Sequence, residues 1–346
     1  MSAPPLVSVV IPAWNAGRSI AGGVAAALGQ EGVGGSIEVI VVDDGSTDET
    51  GEAAGGAGAR VVRQENGGPA AARNRGWREA AGEWVFFTDS DCVPRPDWVA
   101  RLLPALREKN VGAAGGTYDA ANPDSFLAAC VQEEIALRHL RMPREVRFLG
   151  SFNLAVPRRV LEETGGFDEE YRRASGEDND LSYRIRKRGY RLIFDREARV
   201  AHRHPEKIGR YLKEQTRHGY WRMKLYREHP ERMGGDDYSG AADFIEPPAA
   251  ALFLLLLPLS RLPVVGSALL ALFLLLFAAA LTPTVVMVRR GGGRFAGFLP
   301  VKMARAFARG AGMAVGIVRF WIVPLRRGGR REGRGGRNGD SRSRIQ

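Results

Sequence analysis

The feature that most constrains the fold is an alternation, over the first 120 residues, of short apolar runs with helix-compatible segments. The apolar runs are 6–11, 37–42, 60–63, 84–87 and 111–117. Alternation at this spacing is typical of βαβ units and predicts a parallel sheet. The first run is apolar and β-rich almost throughout, as expected for a buried parallel strand. We therefore predict an α/β fold class.

The fourth run ends in two aspartates, Asp89 and Asp91, which are separated by one residue. Side chains two residues apart on a strand point the same way, so both carboxylates are expected at the strand's carboxyl end, where ligands bind in open α/β sheets. Converging carboxylates repel each other unless a cation lies between them, and their oxygens suit Mg²⁺ or Mn²⁺. The plainer interpretation is that the pair only forms the turn after the strand.

The usual phosphate-binding loops are missing from the sequence. There is no G-x-x-x-x-G-K-[ST] and no G-x-G-x-x-G after the first strand, which argues against P-loop and dinucleotide-binding proteins. A bound diphosphate would then need another source of positive charge, and a metal on Asp89 and Asp91 would supply it. The two cysteines, Cys92 and Cys130, form no disulfide framework or thiolate metal site, and we interpret Cys92 as a small buried side chain.

Further along, residues 148–156 and 191–201 are strand-like, and His202 and His204 follow the second of these segments. Residues 176–180 open an amphipathic helix that continues over 181–188, with acids at its start and bases at its end. This charge pattern suits the helix dipole, so one interpretation of Glu177 and Asp178 is that they only stabilise the helix terminus.

Several short motifs, taken together, resemble family 2 glycosyltransferases of the GT-A fold, of the membrane-anchored bacterial type. They occur in family order, within roughly residues 6 to 230, at 7–15, 43–48, 66–69, 72–76, 89–91, 165–168 and 176–178. The resemblance implies a Rossmann-like, mostly parallel sheet. It also implies inverting transfer of a hexosyl or related group from a UDP, GDP or dTDP sugar, with Mg²⁺ or Mn²⁺.

The resemblance assigns roles residue by residue. Asp44 or Asp43 would accept a hydrogen bond from the base, and Asp89, Asp91 and His202 would hold the metal, with His204 as the alternative to His202. The full set for the nucleotide sugar is Pro12, Ala13, Asn15, Asp43, Asp44, Asn66, Arg73, Asp89 and Ser90. A solvated or core histidine remains the plain interpretation of His202.

Asp178 matches the family's general base, with Glu177 as the alternate and Asp180 interpreted as a helix-start residue. Inversion requires the acceptor hydroxyl to lose its proton as it attacks, and a carboxylate within hydrogen-bond reach contributes roughly 10²- to 10⁴-fold. The sequence alone does not exclude a retaining mechanism, which would need a carboxylate beneath the sugar.

Residues 247–288 are almost wholly apolar, apart from a break at 260–263. One span needs about 20 residues, so this stretch predicts two transmembrane helices, at about 244–259 and 264–288. Basic residues flank both sides of the pair, which places both flanks in the cytoplasm. We therefore expect a multi-pass protein of the inner (cytoplasmic) membrane with a cytoplasmic catalytic domain.

The predicted domains are a GT-A glycosyltransferase domain at 1–240, the two transmembrane helices within 241–290, an amphipathic interfacial helix at 291–324 and a disordered Arg/Gly-rich tail at 325–346. The tail has eight arginines against two acids, so it accounts for much of the net charge of +11. It could bind anionic lipid or RNA. Beside a membrane anchor we favour lipid.

Together these features predict an enzyme that transfers sugar to a hydroxyl of a polyprenyl-linked or cell-surface polysaccharide acceptor. Membrane lipids are expected partners, and nucleic acid is not. Two alternatives remain open: a non-catalytic sugar-nucleotide-binding membrane scaffold, and a nucleic-acid-binding protein that uses the Arg-rich tail. An inactive relative should lack Asp89, Asp91 or Asp178, and all three are present.

Overall fold

The computed structural model describes residues 6–173, 175–233 and 237–323. The strands are β1 Val7–Ala13, β2 Ile37–Asp44, β3 Arg60–Gln64, β4 Trp84–Phe87, β5 Cys92–Pro94, β6 Val111–Ala120, β7 Glu145–Val146, β8 Leu154–Pro157 and β9 Arg191–His202. The α-helices are α1 Ile20–Leu28, α2 Thr50–Gly56, α3 Pro69–Glu79, α4 Trp98–Leu106, α5 Phe126–His139, α6 Arg158–Thr164, α7 Glu177–Lys187, α8 Ile208–Glu228, α9 Ala241–Leu256, α10 Pro263–Gly291 and α11 Phe298–Ile317. The predicted tail at 325–346 lies outside the described residues.

The described strands form one sheet in the order β3-β2-β1-β4-β8-β6-β9-β5, with β7 paired to β9. The first four strands in this order are parallel, as the alternating pattern predicts. Beyond β4 the sheet is mixed, because β8 runs antiparallel to both β4 and β6, while β6 and β9 are parallel. The α/β prediction is confirmed, with the parallel part confined mainly to the first half of the chain.

Both faces of the sheet are buried. Val9 and Ile11 of β1 pack into one hydrophobic cluster, and Val10 packs into a second cluster on the other face. All three side chains are fully buried. A strand covered on both faces has no polar alternation, which is why β1 and β2 read as continuous apolar runs. Their carboxyl ends, where the chain turns polar, form one edge of the sheet.

The predicted strand at 148–156 is wrong over most of its length. Ser151–Asn153 is a short 3₁₀ turn, and only the end of the segment enters β8. The Asn153 side chain donates to the carbonyl oxygens of Thr117 (3.1 Å) and Ala198 (2.9 Å) and accepts from Trp98 Nε1 (2.8 Å). These long-range bonds hold a tight turn that no local apolar pattern indicates.

Within the described residues, α9 and α10 are long and apolar enough to cross a membrane. Leu270 and Leu274 of α10 are 60% and 56% exposed, and neighbouring large apolar side chains are similarly uncovered. Exposed apolar surface of this extent favours contact with lipid. The helices lie close to the predicted spans at 244–259 and 264–288, although α9 begins three residues earlier.

The helix α11 falls within the segment predicted to lie in the membrane interface, but its basic side chains do not point to headgroups. Lys302 and Arg305 are almost completely buried. Lys302 Nζ lies 2.8 Å from Glu134 Oε1, and Arg305 Nη1 lies 2.5 Å from Glu134 Oε2. This helix therefore turns its charged face towards α5 of the sheet domain.

Glycines allow α11 to pack closely against α8. A Cβ atom on Gly312 would collide with the carbonyl oxygen of Thr216, and one on Gly316 would lie 2.6 Å from the carbonyl oxygen of Tyr220. On α8, a Cβ on Gly219 would meet the carbonyl oxygen of Arg309. The two backbones are therefore in direct contact, so any side chain at these positions must separate the helices.

We expect Gly312→Ala to destabilise the protein by about 1–3 kcal/mol, because overpacking outweighs the gain in helix propensity. The matched control is Gly209→Ala on α8, where an added Cβ has no neighbour within 4 Å. Thermal unfolding of the detergent-solubilised chain measures both variants. Equal midpoints for the two would show that the α8–α11 contact is not close.

Candidate active site

A cavity of about 1080 Å³ opens at the carboxyl edge of β1, β2 and β4 and continues between α5, α8, α9 and α11. It brings together most of the residues predicted from the sequence. Those lining it are Pro12, Ala13, Asp44, Asn66, Arg73, Asp89, Ser90, Asp91, Glu177, Asp178 and His202. Pro12 and His202, which are 190 positions apart in the chain, therefore line the same cavity.

Asn15 and Asp43 do not line the cavity. Asn15 has a φ of +50° and accepts the Thr47 N–H (2.9 Å) through its side-chain oxygen. Asp43 is buried and accepts the Ser46 N–H (2.9 Å). Both side chains shape the turn after β2, and a direct contact with nucleotide stays a prediction for them.

Asp44 reaches the cavity edge, but its two carboxylate oxygens are already engaged. Oδ1 accepts from Gln64 Nε2 (2.7 Å) and from the Gly67 N–H (2.8 Å), while Oδ2 accepts from the Gly68 N–H (2.9 Å). Asn66 donates to the Asp44 carbonyl oxygen (2.9 Å). Asp44 therefore holds the loop that carries Asn66, and both of its carboxylate oxygens are already hydrogen-bonded within the protein.

Arg73 on α3 joins two carboxylates from distant parts of the chain. Its Nη2 lies 2.7 Å from Asp89 Oδ1, and its Nη1 lies 3.0 Å from Glu177 Oε1. The guanidinium is only 2% exposed and stands over the Phe167 ring at 5.5 Å. One buried cation thus connects the predicted metal wall to the start of α7, a link that sequence spacing does not reveal.

Glu177 and Asp178 are adjacent, yet they differ in what they can still bind. Glu177 is 2% exposed, pairs with Arg73 and accepts the Ser175 N–H (2.7 Å). Burial raises its pKa to about 7, with the charge of Asp178 adding to the rise and Arg73 opposing it. The bonds of the Glu177 carboxylate to Arg73 and Ser175 therefore hold the start of α7 in place.

Asp178 lines the cavity and is less enclosed than Glu177. Its Oδ1 accepts the Asn179 N–H (2.8 Å), and its Oδ2 has only a long bond, 3.4 Å, from the Ser151 N–H. Burial raises the pKa of Asp178, which moves a carboxylate towards the basicity useful in proton abstraction near neutral pH. Asp180, by contrast, binds His229 Nε2 at 2.8 Å, outside the cavity lining.

Asp91 and His202 lie together because β5 runs antiparallel to β9, with Cys92 opposite His202. Asp91 Oδ2 lies 3.6 Å from His202 Nε2. The side chains of Asp89 and Asp91 are about one-third exposed, at 32% and 33%. Burial raises the pKa of Asp91 and the charge of Asp89 adds to it, while His202 opposes the rise. Among the described residues, Asp91, Cys92 and His202 have potential ligand atoms within 4.8 Å of one another, whereas Asp89 lies outside this group and pairs with Arg73.

Cys92 belongs to this group but is fully buried, and His204 lies beside the His202 ring. His204 is 4% exposed, with Nδ1 3.2 Å from His202 Nδ1 and Nε2 2.8 Å from Gln132 Oε1, so it orients the His202 ring. Burial raises the pKa of the Cys92 thiol well above its ordinary value, which keeps it neutral. The Asp91 carboxylate and the His202 imidazole, with the charge of Asp89 nearby, have donor chemistry that fits a divalent cation such as Mg²⁺ or Mn²⁺.

Two parts of the cavity were missed by sequence reasoning. Tyr118 stacks on Phe152 with ring centroids 3.4 Å apart, and this pair stands beside His202. On α8, Arg210 and Arg217 face the cavity at a spacing of seven residues. That spacing is visible in the sequence, but the basic residues there were interpreted only as the flank of a membrane span.

Comparisons with known proteins indicate the family and the fold of this chain. The model of the family described as "Glycosyl transferase family 2" matches residues 8–163. Glycosyltransferase AglE of Haloferax volcanii is 30% identical over 238 residues, covering 64% of this chain and 74% of that protein. Pre-mycofactocin glycosyltransferase of Mycobacterium tuberculosis is 29% identical over 249 residues, or 68% of this chain, which spans only 51% of that relative.

Among solved structures, a mannosyltransferase PcManGT from Pyrobaculum calidifontis, in complex with GDP-Man and Mn²⁺, matches 90% of this chain and 88% of its own. Its TM-score is 0.57 and its sequence identity is 21%. A likeness at this level concerns the fold, and it confirms the predicted GT-A fold class.

Arg73→Met should destabilise the fold by about 3–5 kcal/mol at pH 8, since the buried Glu177 loses its partner and must either stay charged without it or take up a proton. The folded-state pKa of Glu177, about 7, lies above its ordinary 4.5. The stability that protonated Glu177 contributes is therefore complete below pH 4.5 and is lost as the pH rises through 7. Removing Arg73 raises that pKa further, so the deficit of the variant should shrink at pH 5.

The control for this prediction is Arg75→Met on the same helix. Arg75 is about half exposed, at 53%, and pairs only with Glu79, so its loss should cost less than about 1 kcal/mol. Unfolding midpoints at pH 5 and pH 8 measure both variants. An equal loss of stability of Arg73→Met at the two pH values would show that the loss does not come from the charge on Glu177.

Proposed function

Because this chain belongs to glycosyl transferase family 2, we propose that it is an inverting, metal-dependent glycosyltransferase. It moves a hexosyl or related group from a nucleoside-diphosphate sugar (UDP, GDP or dTDP) to a hydroxyl of a membrane-linked or cell-surface polysaccharide acceptor. The observation that carries this proposal is the bridge through Arg73. It holds the wall of Asp89 and Asp91 next to the helix terminus that presents Asp178.

On the donor side, Asp89, Asp91 and His202 would hold Mg²⁺ or Mn²⁺, which supplies Lewis-acid stabilisation of the departing diphosphate. Pro12, Ala13, Asn66 and Ser90 line the same end of the cavity, where the nucleotide would sit. Asp44 supports the pocket by fixing the Asn66 loop. The buried Arg73 also holds the Asp89 carboxylate in place.

On the acceptor side, Asp178 is the carboxylate with room to take a proton. Its Oδ2 faces the cavity wall at Gly150 and Ser151 and makes only the 3.4 Å bond to the Ser151 N–H. An acceptor hydroxyl hydrogen-bonded to this oxygen would transfer its proton as its oxygen attacks the sugar carbon. Glu177 keeps the helix terminus fixed and does not take the proton.

We propose that residues 1–240 form a cytoplasmic catalytic domain on a multi-pass protein of the inner (cytoplasmic) membrane. The apolar helices α9 and α10 and the basic residues that flank them support this arrangement. Residues of α9 and α11 also line the cavity, so the acceptor would reach the site from the membrane side.

The direct experiment is a screen of UDP, GDP and dTDP sugars for nucleotide release by the purified full-length protein with Mn²⁺. Turnover of one donor class, abolished by chelation, is expected. No release with any donor, with or without membrane extract as acceptor, would overturn the proposal.

Asp178→Asn should lower kcat by roughly 10²- to 10⁴-fold, because the hydroxyl loses its proton acceptor. Donor binding with Mn²⁺ should stay within about twofold, since Asp178 does not touch the donor wall. The control is Asp180→Asn, two residues away on the same helix but bonded to His229 outside the cavity lining. Equal turnover of Asp178→Asn and wild type would remove Asp178 from the role.

Asp91→Ala should abolish the dependence of nucleoside-diphosphate binding on Mn²⁺. Titration calorimetry of UDP and GDP, with and without Mn²⁺, measures this linkage. Asp97→Ala is the matched control, since Asp97 is exposed and pairs with Arg101 away from the cavity. If Mn²⁺ strengthens nucleotide binding to Asp91→Ala as much as to wild type, Asp91 is not a ligand.

A further inference from the structure

The inner arm of the cavity, between α5, α8, α9 and α11, has a character different from that of the donor end. We call this arm the junction chamber. Its charged lining residues include Glu134, Arg138, Arg217, Asp243, Arg305 and Arg309. None of them belongs to the metal site or to the proton-transfer site described above.

Cations outnumber carboxylates in the junction chamber. Glu134 is shared by Lys302 (2.8 Å) and Arg305 (2.5 Å). Asp243 is shared by Arg138 (2.6 Å) and Arg309 (2.8 Å). The next carboxylate, Glu246, stands 3.9 Å from Arg305, and Glu214 is engaged by Arg210 at 3.1 Å. Because each of the first two acids must serve two bases, the chamber retains an excess of positive charge.

The chamber also contains donors without acceptors. Among the described residues, Arg217 has no hydrogen-bond or ion-pair partner, and its Nε is buried and unpaired. The Nε of Arg305, a residue that is 3% exposed, is likewise unpaired. A buried donor without an acceptor loses its hydrogen bonds to water without replacing them, and such donors are rare in native proteins. Two of them around one cavity indicate an anionic group with several acceptor oxygens.

Apolar surface adjoins this cationic site. Phe244, Pro247 and Pro248 of α9 and Ile317 of α11 line the same cavity, together with Trp321 just beyond α11. The α9 helix is one of the two that are long and apolar enough to cross a membrane. At its other end the cavity reaches Asp178. An amphiphile with a hydroxyl at one end, an anion in the middle and an apolar chain would match these three regions in order.

We propose that the junction chamber binds the phosphate or diphosphate group of a lipid-linked acceptor, with Arg217 as its principal ligand and Arg305 and Arg309 forming the surrounding positive field. This inference rests on the proposed function and specifies its acceptor. The guanidinium of Arg217 donates charge-assisted hydrogen bonds to phosphate oxygens. The apolar chain leaves along α9, and the sugar or hydroxyl end points to Asp178.

The test is a binding measurement that needs no donor and no turnover. The full-length protein in phosphatidylcholine nanodiscs is titrated with a polyprenyl phosphate and, separately, with the uncharged polyprenol of equal length. Variants are Arg217→Gln and Arg217→Glu. Lys213→Gln and Lys213→Glu are the matched controls, because Lys213 is exposed on the same helix, lies off the cavity and carries the same charge.

Wild type should bind the phosphate at least about tenfold more tightly than the alcohol, as expected for a charge-assisted hydrogen bond. Arg217→Gln should weaken this preference for the phosphate, and Arg217→Glu should abolish it. Both Lys213 variants should keep it. Arg217 makes no bond to another described residue, so these variants should fold normally, and their unfolding midpoints verify this.

Equal affinity of wild type for phosphate and alcohol would overturn the inference, as would an undiminished preference in Arg217→Glu. Two competitors identify the source of the anion. Displacement by phosphatidylglycerol at equal mole fraction would mean a site for bulk lipid headgroups, and displacement by inorganic pyrophosphate alone would mean a site for free phosphates. Either result overturns the acceptor assignment.

The two proposals fail separately. Donor turnover without any phosphate preference would leave the glycosyltransferase proposal standing and remove the junction chamber from acceptor binding. Phosphate preference that depends on Arg217, in a protein that releases nucleotide from no sugar donor, would support the chamber and overturn the enzymatic proposal.

Discussion

The candidate site depends on one buried cation. Arg73 pairs with Asp89 after β4 and with Glu177 at the start of α7, and these three groups come from separate parts of the chain. A buried pair that loses one partner leaves an uncompensated charge costing about 3–5 kcal/mol, so the three elements are held together as a unit. The position of Asp178 relative to the metal wall follows from this bridge, because Asp178 is the next residue on α7.

A second charged contact connects this site to the apolar helices. Glu134 on α5 binds Lys302 and Arg305 of α11, and α11 packs through its glycines onto α8. Charged side chains are thereby buried in pairs, while the apolar surface of α10 remains uncovered. The cavity passes along this contact, so one continuous space joins the carboxylates of the candidate site to the region beside the apolar helices.

Particular elements show why prediction succeeded in some places and failed in others. Strands β1, β2 and β4 were predictable because burial on both faces forces an apolar run and the ligand end forces a polar stop. The segment 148–156 was not, since the turn at Ser151–Asn153 is held by bonds from Asn153 to residues 36 and 45 positions away. The direction in which α11 turns its basic face was equally hidden, because the partner Glu134 lies 168 and 171 positions away from Lys302 and Arg305.

By itself, the sequence determined the α/β class, the carboxylate pair after the fourth strand, the acidic start of α7 and the two long apolar helices. Each of these features depends on residues that are neighbours in the sequence, through burial, turn chemistry or helix length. Only the tertiary structure decided that Glu177 is paired with Arg73 while Asp178 is less engaged, that Asn15 and Asp43 shape a turn, and that α8 and α11 line a cationic chamber. Those outcomes depend on partners distant in the chain, and local pattern carries no information about which distant charge a buried group will meet.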